Sequence, residues 1–198
     1  MMHRLIAGAA LAVATGTLVA ASDHTRPRLT AHDAPGIAQA ASPGPGDTKL
    51  NQFVSYSAAS KTVTIALFAA INSAQGGFNF NGGSSGNQTI TVPLGWKVHF
   101  DVRNDDAIPH SAIIIKDQTP VPNGPSTAAI PRAYTDHLSD GLAPQTGNDT
   151  MDFTATPAGN YLIACGVPGH APSGMYIKFV VSATAQIPAN TGTIATGK

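Results

Sequence analysis

The chain has 198 residues, 42% of them hydrophobic and only 11% charged, which is enough apolar content for one packed domain with tails and too much for a disordered polymer. Eleven Lys and Arg balance eleven acids, every one of them Asp, so no large positive field exists to hold nucleic acid. A single cysteine excludes an internal disulfide, and 20 Gly with 15 Pro favour short strands and turns over long solvated helices.

In chain order, Met1-Met2-His3-Arg4 gives a positive start, Leu5 to Ala20 carries no charge, and Val19-Ala20-Ala21 ends in small residues. Residues 1–21 therefore read as a cleavable export signal, too short and too interrupted to span a bilayer. The expected destination is periplasmic or otherwise extracytoplasmic, with a membrane tether through an uncleaved N-terminus as the lesser alternative. Residues 22–48 are rich in Ala, Pro and Gly and read as a flexible spacer.

From 49 to 183 the texture is that of one β domain. Strands are expected at Thr62–Phe68, Phe78–Gly83, Gln88–Val92, Trp96–Val102, Ala112–Ile115, Thr150–Ala155, Asn160–Cys165 and Met175–Ser182. These are about eight short segments, rich in β-branched and aromatic residues and separated by turn residues, which suits an antiparallel sandwich. Asp117–Asp149 holds five prolines and is long for a plain loop; a short helix is expected near Ser126–Ala133. Residues 184–198 read as a polar C-terminal tail.

The chemistry concentrates at the end of one strand. Cys165-Gly166-Val167-Pro168-Gly169-His170-Ala171-Pro172-Ser173-Gly174-Met175 has the pattern Cys-x4-His-x4-Met. Thiolate, imidazole and thioether are donors that copper prefers. Gly166, Gly169 and Gly174 let the loop bend all three inward, and Pro168 and Pro172 stiffen it. A second imidazole is available at His110, 55 residues upstream, at the start of the apolar segment Ser111–Ile115. His110, Cys165 and His170 as equatorial ligands with Met175 as a weak axial one make a type-1 copper constellation, one ion per chain. Each residue alone has a plainer role as core or structural side chain. The conjunction is specific, because the chain has one Cys and four Met, two of them at its start. A structural zinc site would want more strong ligands than Met provides. A thiol enzyme would need an orienting partner and an oxyanion site. No His-x-His pair exists for a second, catalytic copper, which argues for a carrier rather than an enzyme.

The chain resembles the cupredoxins and, within them, the sulfocyanins, with the rusticyanins next. The likeness lies in Phe78-Asn79-Phe80-Asn81-Gly82, Gly86, Val92-Pro93-Leu94-Gly95-Trp96, Asn104, His110-Ser111 and the loop from Cys165 to Tyr176. Gly159 to Cys165 is similar to the Gly-x-Tyr-x-Phe-x-Cys strand of cupredoxins, with Ile163 in place of the aromatic residue. The resemblance implies an all-β Greek-key sandwich, a mononuclear type-1 copper and one-electron transfer in respiratory chains of acid-living organisms. It also implies that Ser111, where other cupredoxins often carry Asn, ties the two ligand-bearing loops together.

His170 is the expected exit for the electron. Val167, Pro168, Ala171, Pro172 and Leu94 are the uncharged residues expected to form an apolar docking face around it. The partners expected are redox proteins such as cytochromes or a terminal oxidase, met by a monomer near a membrane. A copper storage or delivery module is the rival reading.

Overall fold

In a computed structural model of the chain, residues 46–196 are described. The expected signal at 1–21 and nearly all of the spacer at 22–48 lie outside the described residues, as do His24 and His32. Ten strands follow one another. They are β1 (Thr48–Lys49), β2 (Val54–Ser57), β3 (Thr62–Ala69), β4 (Gln88–Pro93), β5 (Lys97–Asn104), β6 (Ile113–Lys116), β7 (Gly147–Thr154), β8 (Gly159–Ala164), β9 (Tyr176–Ser182) and β10 (Ala189–Gly192).

They form two five-stranded sheets, ordered β1-β2-β3-β5-β7 and β10-β4-β9-β8-β6. From β3 to β8 the chain crosses from one sheet to the other at every connection. The outcome is the all-β Greek-key sandwich that the family resemblance implied. It is mixed rather than purely antiparallel: β3 pairs with β5, and β4 with β9, in parallel. Parallel neighbours cannot be joined by a tight hairpin and need a crossover connection, which the passages through the other sheet supply.

Alternating side chains from both inner faces fill the core. Ile65 and Leu67 of β3, Phe100 and Val102 of β5, Ile90 and Val92 of β4, and Ile177, Phe179 and Val181 of β9 are all buried in one cluster. Phe100 and Phe179 meet across the sheets with ring centres 6.1 Å apart, within the range that favours tilted aromatic pairs.

Three expectations change. Phe78–Gly83 is not a strand; only isolated bridges link Phe80 to Ala69 and to Gly83. Its asparagines take the backbone elsewhere. The Asn81 side chain accepts the Phe68 N–H (2.8 Å) and donates to the Ala66 carbonyl (2.9 Å), and Asn79 donates to the carbonyls of Asn72 and Ala74. This is local competition with sheet pairing. Second, no helix forms at Ser126–Ala133. That stretch runs beside β6, with Ala129 N–H bonded to the Ile114 carbonyl and Ile114 N–H to the Ala133 carbonyl. Third, residues 184–198, expected as a polar tail, supply β10, which pairs with β4 from Gln88 to Thr91. Polar side chains do not prevent pairing on a sheet edge, where the ladder is made by backbone groups.

Candidate metal centre

Three side chains converge at the end of the sandwich where β8 finishes and β9 begins, with Met175 buried on the same loop. Cys165 directly follows β8, His110 lies before β6, and His170 and Met175 lie on the loop between β8 and β9. β8 is paired on both sides, with β6 and with β9, so the cysteine sits on a central strand that cannot slip without moving the sheet.

The ligating atoms of His110, Cys165 and His170 all lie within 4.8 Å of one another. The His170 Nδ1 is 3.5 Å from the Cys165 Sγ and 3.2 Å from the His110 Nδ1. Cys165, His110 and Met175 are buried, and His170 is half-buried between the cluster and solvent. The loop is closed by its own backbone. Cys165 N–H donates to the Met175 carbonyl (3.1 Å), Met175 N–H to that of His170 (3.0 Å) and His170 N–H to that of Val167 (3.1 Å). Cys165, His170 and Met175 are thereby tied together by three hydrogen bonds within eleven residues.

Two glycines are required sterically. A Cβ on Gly166 would stand 2.9 Å from the Leu138 carbonyl oxygen and 3.1 Å from the Ser111 Oγ. Gly174 has φ +103°, and a Cβ there would lie 2.7 Å from the Ser85 Oγ.

Ser111 is buried beside Cys165. Its hydroxyl donates to the Leu138 carbonyl (2.8 Å) and accepts the Gly166 N–H (3.0 Å), and its own N–H points at the Cys165 Sγ (3.4 Å). It bonds simultaneously to the cysteine loop and to the long 117–149 connection. That connection braces the site from outside as well: Asn123 accepts the Gly169 N–H (2.6 Å), and Leu142 N–H donates to the His110 carbonyl (2.7 Å).

Two contributors were not foreseen. Asp106 places a carboxylate oxygen 3.0 Å from the Nε2 of His110, the ring nitrogen that faces away from the cluster. Phe78 sets its edge against the His170 ring, with centres 5.0 Å apart. An Asp four residues before the ligand His was the available signal for the first. Nothing local to Phe78 signals the second, because 92 residues separate it from His170.

The electrostatics favour deprotonated rings. Burial lowers the proton affinity of His110, against the pull of Asp106. Burial also lowers that of His170, helped by His110 and opposed by Asp106. Burial pushes the Cys165 thiol up, against hydrogen bonds from the Ser111 and Val167 backbone and the Ser111 hydroxyl. Partial burial works against ionisation of Asp106, but the hydrogen bonds from His110 and the Ala107 N–H, with the nearby imidazoles, hold its carboxyl below the usual range.

The docking residues are only partly brought together. Pro168 and Pro172 are exposed and Val167 partly so, on the loop that carries His170. Ala171 is 1% exposed and packs beneath that surface with Ile113, Ile115, Leu162 and Ala164. Leu94 is exposed, but it lies at the opposite end of the sandwich. It follows Pro93, which pairs with Ser182, seven residues past Met175 and so roughly 20 Å along an extended strand. Neither Ala171 nor Leu94 belongs to a face around His170. Ile108, two residues before His110 and 41% exposed, is a further apolar residue near the His110 end of the sandwich. His99 takes no part in the cluster; it bonds Asp152 at 2.8 Å on the outer face of β5 and β7.

A β-sandwich that gathers one thiol, two imidazoles and a buried thioether at the end of a central strand is a blue-copper fold, a cupredoxin. Comparison with known proteins gives the finer assignment. Residues 49–192 match the model of the Sulfocyanin (SoxE) domain. The chain is 32% identical over 142 residues to the sulfocyanin of Sulfolobus acidocaldarius, covering 67% of this chain and 70% of that one. Among solved structures, rusticyanin from Thiobacillus ferrooxidans matches with 29% identity and a TM-score of 0.41 over 62% of this chain and 82% of its own. Auracyanin A, a "blue" copper protein from Chloroflexus aurantiacus, matches with 24% identity and a TM-score of 0.43 over 61% and 99%. The chain belongs to the sulfocyanin family.

Proposed function

We propose that this protein is a one-electron carrier that holds one type-1 copper ion on His110, Cys165, His170 and Met175. The observation that carries the reading is the grouping of three soft-to-borderline donor atoms within 4.8 Å on segments fixed by backbone bonds that need no metal. The donor set suits copper: one thiolate, two neutral imidazoles and a thioether in a dry pocket. When bound, copper supplies a reversible one-electron couple between its cupric and cuprous states. The chain's part is to keep the ligand atoms in place through that change. The β6–β8–β9 ladder, the Ser111 hydroxyl and the loop's internal bonds do so, and a frame that moves little keeps reorganisation small.

The half-buried His170 is the exit through which an electron leaves. Val167, Pro168, Pro172 and Ile108 give the surface around it an uncharged character, suited to brief contact with a redox partner over a small area. The partners are respiratory-chain proteins such as cytochromes or a terminal oxidase, met in an exported and acidic compartment. The low charge fits that setting, since few carboxylates are lost to protonation as pH falls.

The test is voltammetry of the copper-loaded protein. A reversible one-electron wave, with no turnover of small substrates, is expected of a carrier. Irreversible loss of copper on reduction would support storage or delivery instead.

A further inference from the structure

We propose that Asp106 is a positioning residue for His110: its carboxylate holds the proton on Nε2, presents Nδ1 to the metal as a lone pair, and favours the oxidised ion over the reduced one. The inference rests on the copper reading above and extends it to a residue outside the ligand set.

The geometry is specific. His110 is 1% exposed, its Nε2 lies 3.0 Å from the Asp106 Oδ2, and the Asp106 side chain is 30% exposed. The other ring nitrogen, Nδ1, lies 3.2 Å from the His170 Nδ1 inside the cluster. An imidazole with an acceptor fixed at one nitrogen keeps its proton there and its lone pair at the other. The contact therefore uses no ligand atom and decides which nitrogen is free to bind.

The carboxylate is also held where it is. Asn104 accepts the Asp106 N–H (3.1 Å) and donates to the carbonyls of Ile108 (2.9 Å), Leu142 (3.0 Å) and Ala143 (3.2 Å). The Asp106 carbonyl accepts the Gln145 N–H at 2.8 Å. Asn104 is itself buried at the end of β5. A strand end thus grips the turn that carries Asp106, and the turn aims the carboxylate at the ring. A negative charge beyond a ligating imidazole makes that imidazole a stronger donor, and this stabilises the more highly charged cupric ion.

The experiment compares the wild type with Asp106→Ala and Asp106→Asn. In the metal-free and Cu(I) forms, nitrogen-edited NMR follows the ring N–H of His110. In copper-loaded protein, competition titrations measure the affinity for Cu(II) and for Cu(I). The wild type is expected to show a slowly exchanging His110 Nε2–H. D106A loses that protection and binds Cu(II) roughly tenfold more weakly, with Cu(I) affinity less affected, so the potential rises. D106N retains the ring N–H, because its amide oxygen still accepts, yet it too shifts the ratio toward Cu(I). A D106A protein with an unaltered ring N–H overturns the proposal. So does an unchanged Cu(II)/Cu(I) affinity ratio in both variants, even with a lowered melting temperature. Should the wild type fail to form a blue copper centre, the carrier reading falls, while the ring N–H still reports on the contact.

Discussion

The hydroxyl of Ser111 accepts the amide proton of Gly166 at 3.0 Å while donating its own to the Leu138 carbonyl at 2.8 Å. One oxygen thereby joins the segment carrying His110, the segment carrying Cys165 and the long connection between β6 and β7. Ser111→Ala strands a buried N–H and a partly buried carbonyl, which costs about 1–3 kcal/mol. It also loosens the segment whose backbone N–H, that of Ser111, points at the cysteine sulfur at 3.4 Å. Donors beside a thiolate draw charge from it and favour the reduced ion, so the potential of S111A is expected to fall, opposite in sign to the Asp106 variants. Urea midpoints and voltammetry measure the two effects; no change in either would show that Ser111 ties nothing.

Copper binding should release protons in a pattern set by burial. The Cys165 thiol is pushed up and is protonated at neutral pH, whereas His110 and His170 are pushed down and are already neutral. Ligation as thiolate then releases about one proton per copper near neutral pH, and more as pH falls and the rings begin to carry protons. Calorimetry in buffers of different ionisation enthalpy counts them. A release near zero at neutral pH would mean the thiol is already ionised.

The metal-free protein should lose stability on acidification. In the unfolded chain both rings take up a proton near their ordinary value of about 6.5, but in the fold they resist it to lower pH. The unfolded state therefore binds more protons below that value, and stability decreases as pH falls through it, levelling off once the folded values are passed. Asp106 adds a second loss at more acid pH: its carboxyl is held below the ordinary range, so its contribution is present above about 3.8 and disappears as pH falls through its lowered value. Denaturant midpoints across the pH range, with and without Cu(I), measure both. A metal-free protein of constant stability from pH 7 to 4 would contradict this assignment.

The face around His170 can be tested without knowing the partner. Electron self-exchange between oxidised and reduced copies, followed by NMR line broadening, requires the two copper ends to meet. Pro172→Lys, Pro168→Lys and Ile108→Lys place like charges in that contact and should slow exchange several-fold at low salt, recovering as salt is added. Leu94→Lys lies at the far end and should leave it unchanged. Equal effects from all four would remove the docking assignment.

How much was legible beforehand follows from where each signal resides. The ligand set could be read because its chemistry is compositional: one Cys, a His and a Met at fixed intervals on a Gly/Pro loop, with His110 before an apolar strand. β6 was legible although it is an edge strand, because burial of both its faces leaves the β-branched run Ile113–Ile115. The other short outer strands were not. β1, β2 and β10 have two to four residues and little apolar content to mark them. The Phe78–Gly83 segment misled because its Phe residues do pack inward while Asn79 and Asn81 divert its backbone. Asp106 was passed over because adjacent aspartates usually face solvent, and only the turn gripped by Asn104 aims one of them at His110. Leu94 was assigned to the wrong end because a sequence carries no record of which sheet end a turn occupies; the parallel pairing of β4 with β9 decides it.

The most direct measurement is an optical and EPR titration of the metal-free protein with Cu(II). The account predicts an intense blue charge-transfer band and a type-1 EPR signal that saturate at one equivalent per chain, and that vanish in Cys165→Ser. A protein that stays colourless at one equivalent, or whose copper gives the same signal without the cysteine, would contradict it.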